Sequence, residues 1–121
     1  MNQRPTILAI DNNPRNLELL KQFLEQHNYQ VVTAATLEDI DRTLLGPVPV
    51  RLALVDIAGF DRSIWERCER MRDAGIPFLV IYPYQRPAVQ EESLEHGARG
   101  MLVKPLATRE LLGLIESLLG E

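Results

Sequence analysis

Several residues of this 121-residue chain stand directly after short apolar runs and are of types that do chemistry. Asp11 and Asn12 follow Thr6-Ile7-Leu8-Ala9-Ile10, and Asp56 follows Leu52-Ala53-Leu54-Val55. Tyr82 follows Phe78-Leu79-Val80-Ile81, and Lys104 follows Met101-Leu102-Val103. A short continuous apolar run reads as a strand covered on both faces, and a carboxylate is a costly way to end one. If folding gathers these ends, two carboxylates, an amide, a phenol and an ammonium share one rim. Carboxylates held together repel unless a proton, an ammonium group or a divalent cation offsets them. Lys104 supplies one positive charge; Mg2+ would supply two, since it favours carboxylate and carbonyl oxygens plus waters.

The intervening segments carry helical signals. Asn13 can cap a helix and Pro14 suits its first position; Leu17, Leu20 and Leu24, with Leu19 and Phe23 alongside, then recur at helical spacing up to Gln26-His27-Asn28. Val31-Val32-Thr33-Ala34 reads as a second strand, the weakest of the runs and suited to a sheet edge. Thr36 precedes a helix over 37–45 that Gly46-Pro47 closes. Further helices are expected over 64–71, ended by Ala74-Gly75, over 88–96, followed by Gly97, and over about 108–119. Five strands alternating with five helices require parallel crossovers, hence an α/β fold with an open, doubly wound sheet between two helical layers. Ligands of such sheets sit beyond the carboxyl ends of the strands, where all the residues above fall.

Composition narrows the function classes. Thirteen Lys+Arg against seventeen Asp+Glu give a net charge of −4, which speaks against nucleic-acid binding. A single cysteine, Cys68, excludes an internal disulfide and a multi-cysteine zinc site; its register with Ile64 and Trp65 makes it a core residue. No apolar run approaches a membrane span, and the opening Met1-Asn2-Gln3-Arg4-Pro5 lacks a secretory apolar stretch, so a cytoplasmic location is expected. The length suits one domain over 1–121. His27 and His96 fall near helix C-termini, where a cation suits the helix dipole, and Arg67, Glu69, Arg70, Arg72 and Asp73 read as a solvated face. Leu111, Leu112, Leu114, Ile115, Leu118 and Leu119 span an arc of roughly 160° at 100° per residue. That arc is either a wide buried face or one from which Leu112 and Leu119 reach a partner or a second copy.

These features together resemble the receiver domains of bacterial two-component response regulators. The matching pieces are Ile7-Leu8-Ala9-Ile10-Asp11-Asn12, Leu54-Val55-Asp56, Ile76-Pro77-Phe78-Leu79-Val80-Ile81, Gly97-Ala98-Arg99-Gly100 and Val103-Lys104-Pro105-Leu106. The resemblance implies a flavodoxin-like (βα)5 fold of strand order 2-1-3-4-5. It implies Asp56 as phosphoacceptor from a sensor histidine kinase or phosphotransfer protein, forming an aspartyl phosphate. Asp11 matches the acid that supports Mg2+ through water, and Lys104 the lysine that pairs with a phosphoryl oxygen, followed by a cis bond to Pro105. Metal and ammonium would then offset charge on the phosphoryl oxygens. The resemblance also implies an output domain or a homodimer through the last two helices, and no membrane contact; a stand-alone receiver and a part of a longer regulator both fit.

The chain departs from the family pattern at several positions. Asn12 stands where an aspartate usually binds the metal directly, which implies weakened Mg2+ binding. Tyr82 replaces the small Thr or Ser hydroxyl of the switch, and Met101 replaces its aromatic partner. Ile57-Ala58-Gly59-Phe60-Asp61 replaces the usual Met-Pro-x-x-Gly loop, leaving the metal-ligating backbone carbonyl to Ala58. Two readings follow: a receiver that retains Asp56 as acceptor, and a receiver-like module for protein interaction or dimerisation without phosphorylation. An enzyme of this architecture lacks its signatures: there is no Gly-x-x-x-x-Gly-Lys-[Ser/Thr] loop, no Gly-x-Gly-x-x-Gly, no flavin-phosphate loop and no Asp-x-Asp after the first strand.

Overall fold

In the computed structural model the described residues are 4–83 and 87–120; residues 1–3, which begin the segment read above for a secretory signal, 84–86 and 121 lie outside them. The chain alternates β1 Thr6–Ile10, α1 Pro14–Gln26, β2 Gln30–Ala34, α2 Leu37–Leu45, β3 Leu52–Asp56, α3 Ile64–Asp73, β4 Phe78–Tyr82, α4 Pro87–Glu95, β5 Gly100–Val103 and α5 Thr108–Leu119. The strands form one parallel sheet in the order β2-β1-β3-β4-β5, as the resemblance implied. Strand β2 lies at an edge and is only partly buried, as its weak apolar run foretold.

Local chemistry sets the helix starts. Asn13 Oδ1 accepts the backbone N–H groups of Arg15 and Asn16 at 2.9 and 3.2 Å, with Pro14 at the first turn, where its missing N–H costs nothing. Thr36 Oγ1 accepts from Asp39 N at 3.1 Å and starts α2.

Alternation along the strands splits the core into two layers. Ile7, Leu52, Leu54, Leu79, Ile81 and Leu102 pack with Leu24 of α1 and with Leu111 and Ile115 of α5. Leu8, Ile10, Val55, Phe78, Val80 and Tyr82 pack with Ile40 of α2 and with Trp65, Cys68 and Met71 of α3. Cys68 is fully buried, and desolvation pushes its thiol up to about 12, so it is a core residue and no thiolate nucleophile. Leu112 and Leu119 are partly buried against the α1/α5 cluster.

Of the solvated face expected on α3, Arg70, Arg72 and Asp73 are exposed, whereas Arg67 and Glu69 are only partly so. Arg67 is a tie between helices: its Nε and terminal nitrogen donate to the two carboxylate oxygens of Asp41 on α2 at 3.0 and 2.9 Å, and Arg70 adds a bond of 3.1 Å. The Arg67 fork holds the Asp41 carboxyl below its ordinary range. Spacing along one helix cannot reveal a partner supplied by another. Among the described residues no helix is long and apolar enough to cross a membrane.

Candidate functional site

Strand register brings the sequence-selected acids together. Asp56 ends β3 on the face already used by Leu52 and Leu54, and Lys104 follows β5 on the face of Leu102. Asp11, Asp56 and Lys104 line one end of a cavity of about 730 Å3, whose walls are Leu19, Leu20 and Phe23 of α1 with Leu106 and Leu111 from the α5 side. Sequence reading missed those walls, although Leu19 and Phe23 lie beside the main helical stripe. A stripe wider than burial requires was the available signal.

The carboxylates are held by backbone donors. Asp11 Oδ1 accepts the Asn13 N–H at 2.8 Å, and Asp56 Oδ1 accepts the Ala58 N–H at 3.1 Å. Asp56 is only 2% exposed, so it opens to the cavity rather than to bulk water. Its Oδ2 is ion-paired with Lys104 Nζ, yet this buried oxygen receives no aligned hydrogen bond among the described residues. Burial pushes the Asp11 carboxyl above the ordinary carboxylate range. The Asn13 N–H opposes that rise, the nearby Asp56 carboxylate adds to it, and Lys104 offsets part of it.

The Lys104–Pro105 bond is cis, and the Lys104 N–H donates to the Tyr82 carbonyl at 3.0 Å. Asn12 is exposed, does not line the cavity, and sits against the loop after β3. A Cβ at Gly59 would stand 3.0 Å from both Asn12 Cβ and Oδ1, and Gly59 has φ +84°; glycine there permits both the turn and the approach.

Tyr82 corrects the expectation that its phenol joins the rim. Its side chain is 4% exposed, packs in the α2/α3 layer and is not among the residues lining the cavity. The reason is strand alternation: Asp56 pairs in register with Ile81, which lines the cavity, so the next residue turns to the other face. Met101 is partly buried in the same layer as Tyr82.

Two carboxylates with one ammonium leave the pocket one negative charge in excess, which the ion pair of Lys104 with Asp56 Oδ2 does not offset. The donor set fits a divalent cation of the Mg2+ type: carboxylate oxygens of Asp11 and Asp56, with the Asn12 amide and the Ala58 carbonyl as the remaining oxygens nearby in sequence. Among the described residues no group of three or more His, Cys, Asp or Glu side chains could hold a metal, which excludes an all-side-chain cage of the zinc type.

Comparison with known proteins agrees with this geometry. The sequence profile of the response regulator receiver domain matches residues 7–116. The transcriptional regulatory protein GltR of Pseudomonas aeruginosa is 31% identical over 119 residues, covering 94% of this chain and 48% of that protein. The chain thus spans about half the length of the curated relatives it matches. Among solved structures, a CheY-like receiver domain of Methanospirillum hungatei superposes with TM-score 0.85 at 29% identity, covering 97% of this chain and 94% of that one. A two-component response regulator from Clostridium difficile gives TM-score 0.88 at 23% identity, covering 98% of both chains, and speaks to the fold.

Proposed function

Because the chain belongs to the response regulator receiver domain family, we propose that Asp56 accepts a phosphoryl group from a phosphohistidine on a sensor kinase or phosphotransfer protein. A carboxylate oxygen of Asp56 attacks phosphorus, the P–N bond breaks, and the imidazole leaves with its electron pair and takes up a proton. The observation that carries this reading is the buried Oδ2 of Asp56, which faces an open cavity with the Lys104 ammonium as its counter-charge. That ammonium is one-third exposed and sits on a long flexible stem, so it can leave Oδ2 for an oxygen of the incoming phosphoryl group. Mg2+, when held by Asp11 and Asp56 with the Asn12 amide and the Ala58 carbonyl, would neutralise charge on the phosphoryl oxygens. The backbone N–H groups of Asn13 and Ala58 keep both acids oriented throughout.

A second reading is favoured by Tyr82 and Asn12: a phosphorylation-independent interaction module. The buried ring of Tyr82 offers the pocket no small hydroxyl, and the amide of Asn12 brings no charge to a metal. Incubation with acetyl phosphate and Mg2+ followed by intact mass separates the two. The acceptor reading expects a gain of one phosphoryl group that is lost in Asp56→Asn; an unmodified chain at saturating Mg2+ overturns it and leaves the second. The finer expectations are proposed with it: a cytoplasmic protein, signalling through altered protein contacts and not through substrate turnover.

A further inference from the structure

The contact between α3 and the end of α4 is used by neither reading. His96, immediately after α4, lies with Nδ1 2.6 Å from Glu69 Oε2 and Nε2 4.0 Å from Glu92 Oε2. Its ring stacks on Trp65, with centroids 4.9 Å apart and an interplanar angle of 13°. Glu92 is also paired with Arg62, in the turn just before α3, and the side chain of Arg72 lies against Gly97, directly after His96. The charged groups facing the imidazole are therefore Glu69, Arg62 and Arg72 from the α3 side and Glu92 from α4.

We infer that His96 is a proton-operated latch which fastens α4 to α3 when the ring is charged and loosens it when the ring is neutral. A neutral imidazole has one N–H and can donate to one carboxylate only, so its other nitrogen turns a lone pair towards the second. An imidazolium donates from both nitrogens, one to Glu69 on α3 and one towards Glu92 on α4, and a cation is also favoured over the Trp65 ring face. The other anchors of α4 are modest: Ser93 is its one fully buried side chain, with its hydroxyl bonded back to the Val89 carbonyl of the same helix at 2.7 Å, and Val89 is partly buried against the α2/α3 layer. The latch therefore adds to α4 docking when the ring is charged. It needs no phosphoryl group on Asp56.

Trp65 is the only tryptophan, so indole emission comes from the ring that His96 stacks on. The test follows Trp65 emission, the His96 ring protons and the amides of α4 in the full chain by fluorescence and NMR between pH 8 and roughly pH 5. The expected result is one shared single-proton transition, with exchange protection of the α4 amides about twofold to fivefold higher on the acid side. Glu69→Gln is expected to remove most of the acid-side gain in α4 protection, because one carboxylate partner of the imidazolium is lost. His96→Gln is expected to flatten the emission curve. Emission that ignores pH, α4 amides with a different midpoint, or an undiminished acid-side gain in Glu69→Gln each overturns the latch. Glu69 lies on the surface, so that last arm decides even where His96→Gln fails to fold.

Discussion

Replacing Asn12 by aspartate asks directly whether Mg2+ binds among residues 11, 12 and 56. The pocket carries two carboxylates and one ammonium, a formal charge of −1. Asn12→Asp places a further negative charge beside it, for a total of −2 across the candidate metal site. A unit pair 4 Å apart is worth about 1 kcal/mol in water and about 4 kcal/mol at an effective dielectric of 20. Asn12 is exposed against the loop at Gly59, so the water-like limit governs, and a dication doubles it to about 2 kcal/mol. At about 1.4 kcal/mol per tenfold, that is roughly a thirtyfold tightening of Mg2+ affinity. Without metal, the added carboxylate repels Asp11 and Asp56 and lowers stability by up to about 1 kcal/mol. Calorimetric titration with MgCl2 at fixed ionic strength measures the first effect, urea unfolding with and without Mg2+ the second, and Asp56→Asn gives the background. Equal Mg2+ affinity in parent and variant would refute the assignment of position 12 to the metal and leave Asp11 and Asp56 as the only side-chain donors.

Three further outcomes follow from the same geometry. Tyr82→Thr removes a ring buried in the α2/α3 layer and is expected to cost about 2–3 kcal/mol in urea unfolding, with Tyr82→Phe costing under about 1 kcal/mol; a neutral Tyr82→Thr contradicts the buried placement. Asp11→Asn keeps an oxygen for the Asn13 N–H and removes a carboxylate whose burial favours its protonated form, so it is expected to stabilise the chain at pH 7 by about 1 kcal/mol while weakening Mg2+ binding. Because the Asp11 carboxyl lies above its ordinary range in the folded chain, its stabilising contribution is present at low pH and is lost as pH rises through the raised value; the gain from Asp11→Asn therefore fades on acidification. Arg67→Ala cuts the fork to Asp41 and is expected to cost about 1–2 kcal/mol at pH 7. Asp41 sits below its ordinary range, so that stabilisation is present above about pH 4 and is lost as pH falls further; thermal scans of parent and variant should converge there.

Much of this architecture is legible in the sequence because the strands are short apolar runs bounded by strong helix-start residues. Asn13-Pro14 and Thr36 mark their helices, and the ends of α2 and α5 fall at the expected residues. The rim acids are legible too, since a carboxylate that closes a buried strand loses its hydration and must find a counter-charge or donors nearby. Tyr82 shows where that reasoning stops. Being last in a strand places a residue at the rim, while its parity relative to Leu79 and Ile81 decides which face it joins. The same count along β3 and β5 assigns Asp56 and Lys104 to the cavity side. Contacts between helices were not legible: Arg67 with Asp41, and His96 with Glu69 and Trp65, join residues far apart in the chain whose own helices give no sign of a partner.

The sheet acts as a partition. Acids, lysine and cavity stand on the side of α1 and α5, whereas Trp65, Tyr82 and Met101 stand on the other. Substitutions in the first compartment can alter which molecule reaches the carboxylate without repacking the second, and the reverse holds for what α4 does. The two compartments meet in covalent continuity at residues 57–63, bonded to Asp56 through Ala58 at one end and running into the helix of Trp65 at the other. A change of loop length there would reach both halves at once, because Ala58 holds Asp56, Gly59 lies against Asn12, and Ile57 and Phe60 pack in the α2/α3 layer.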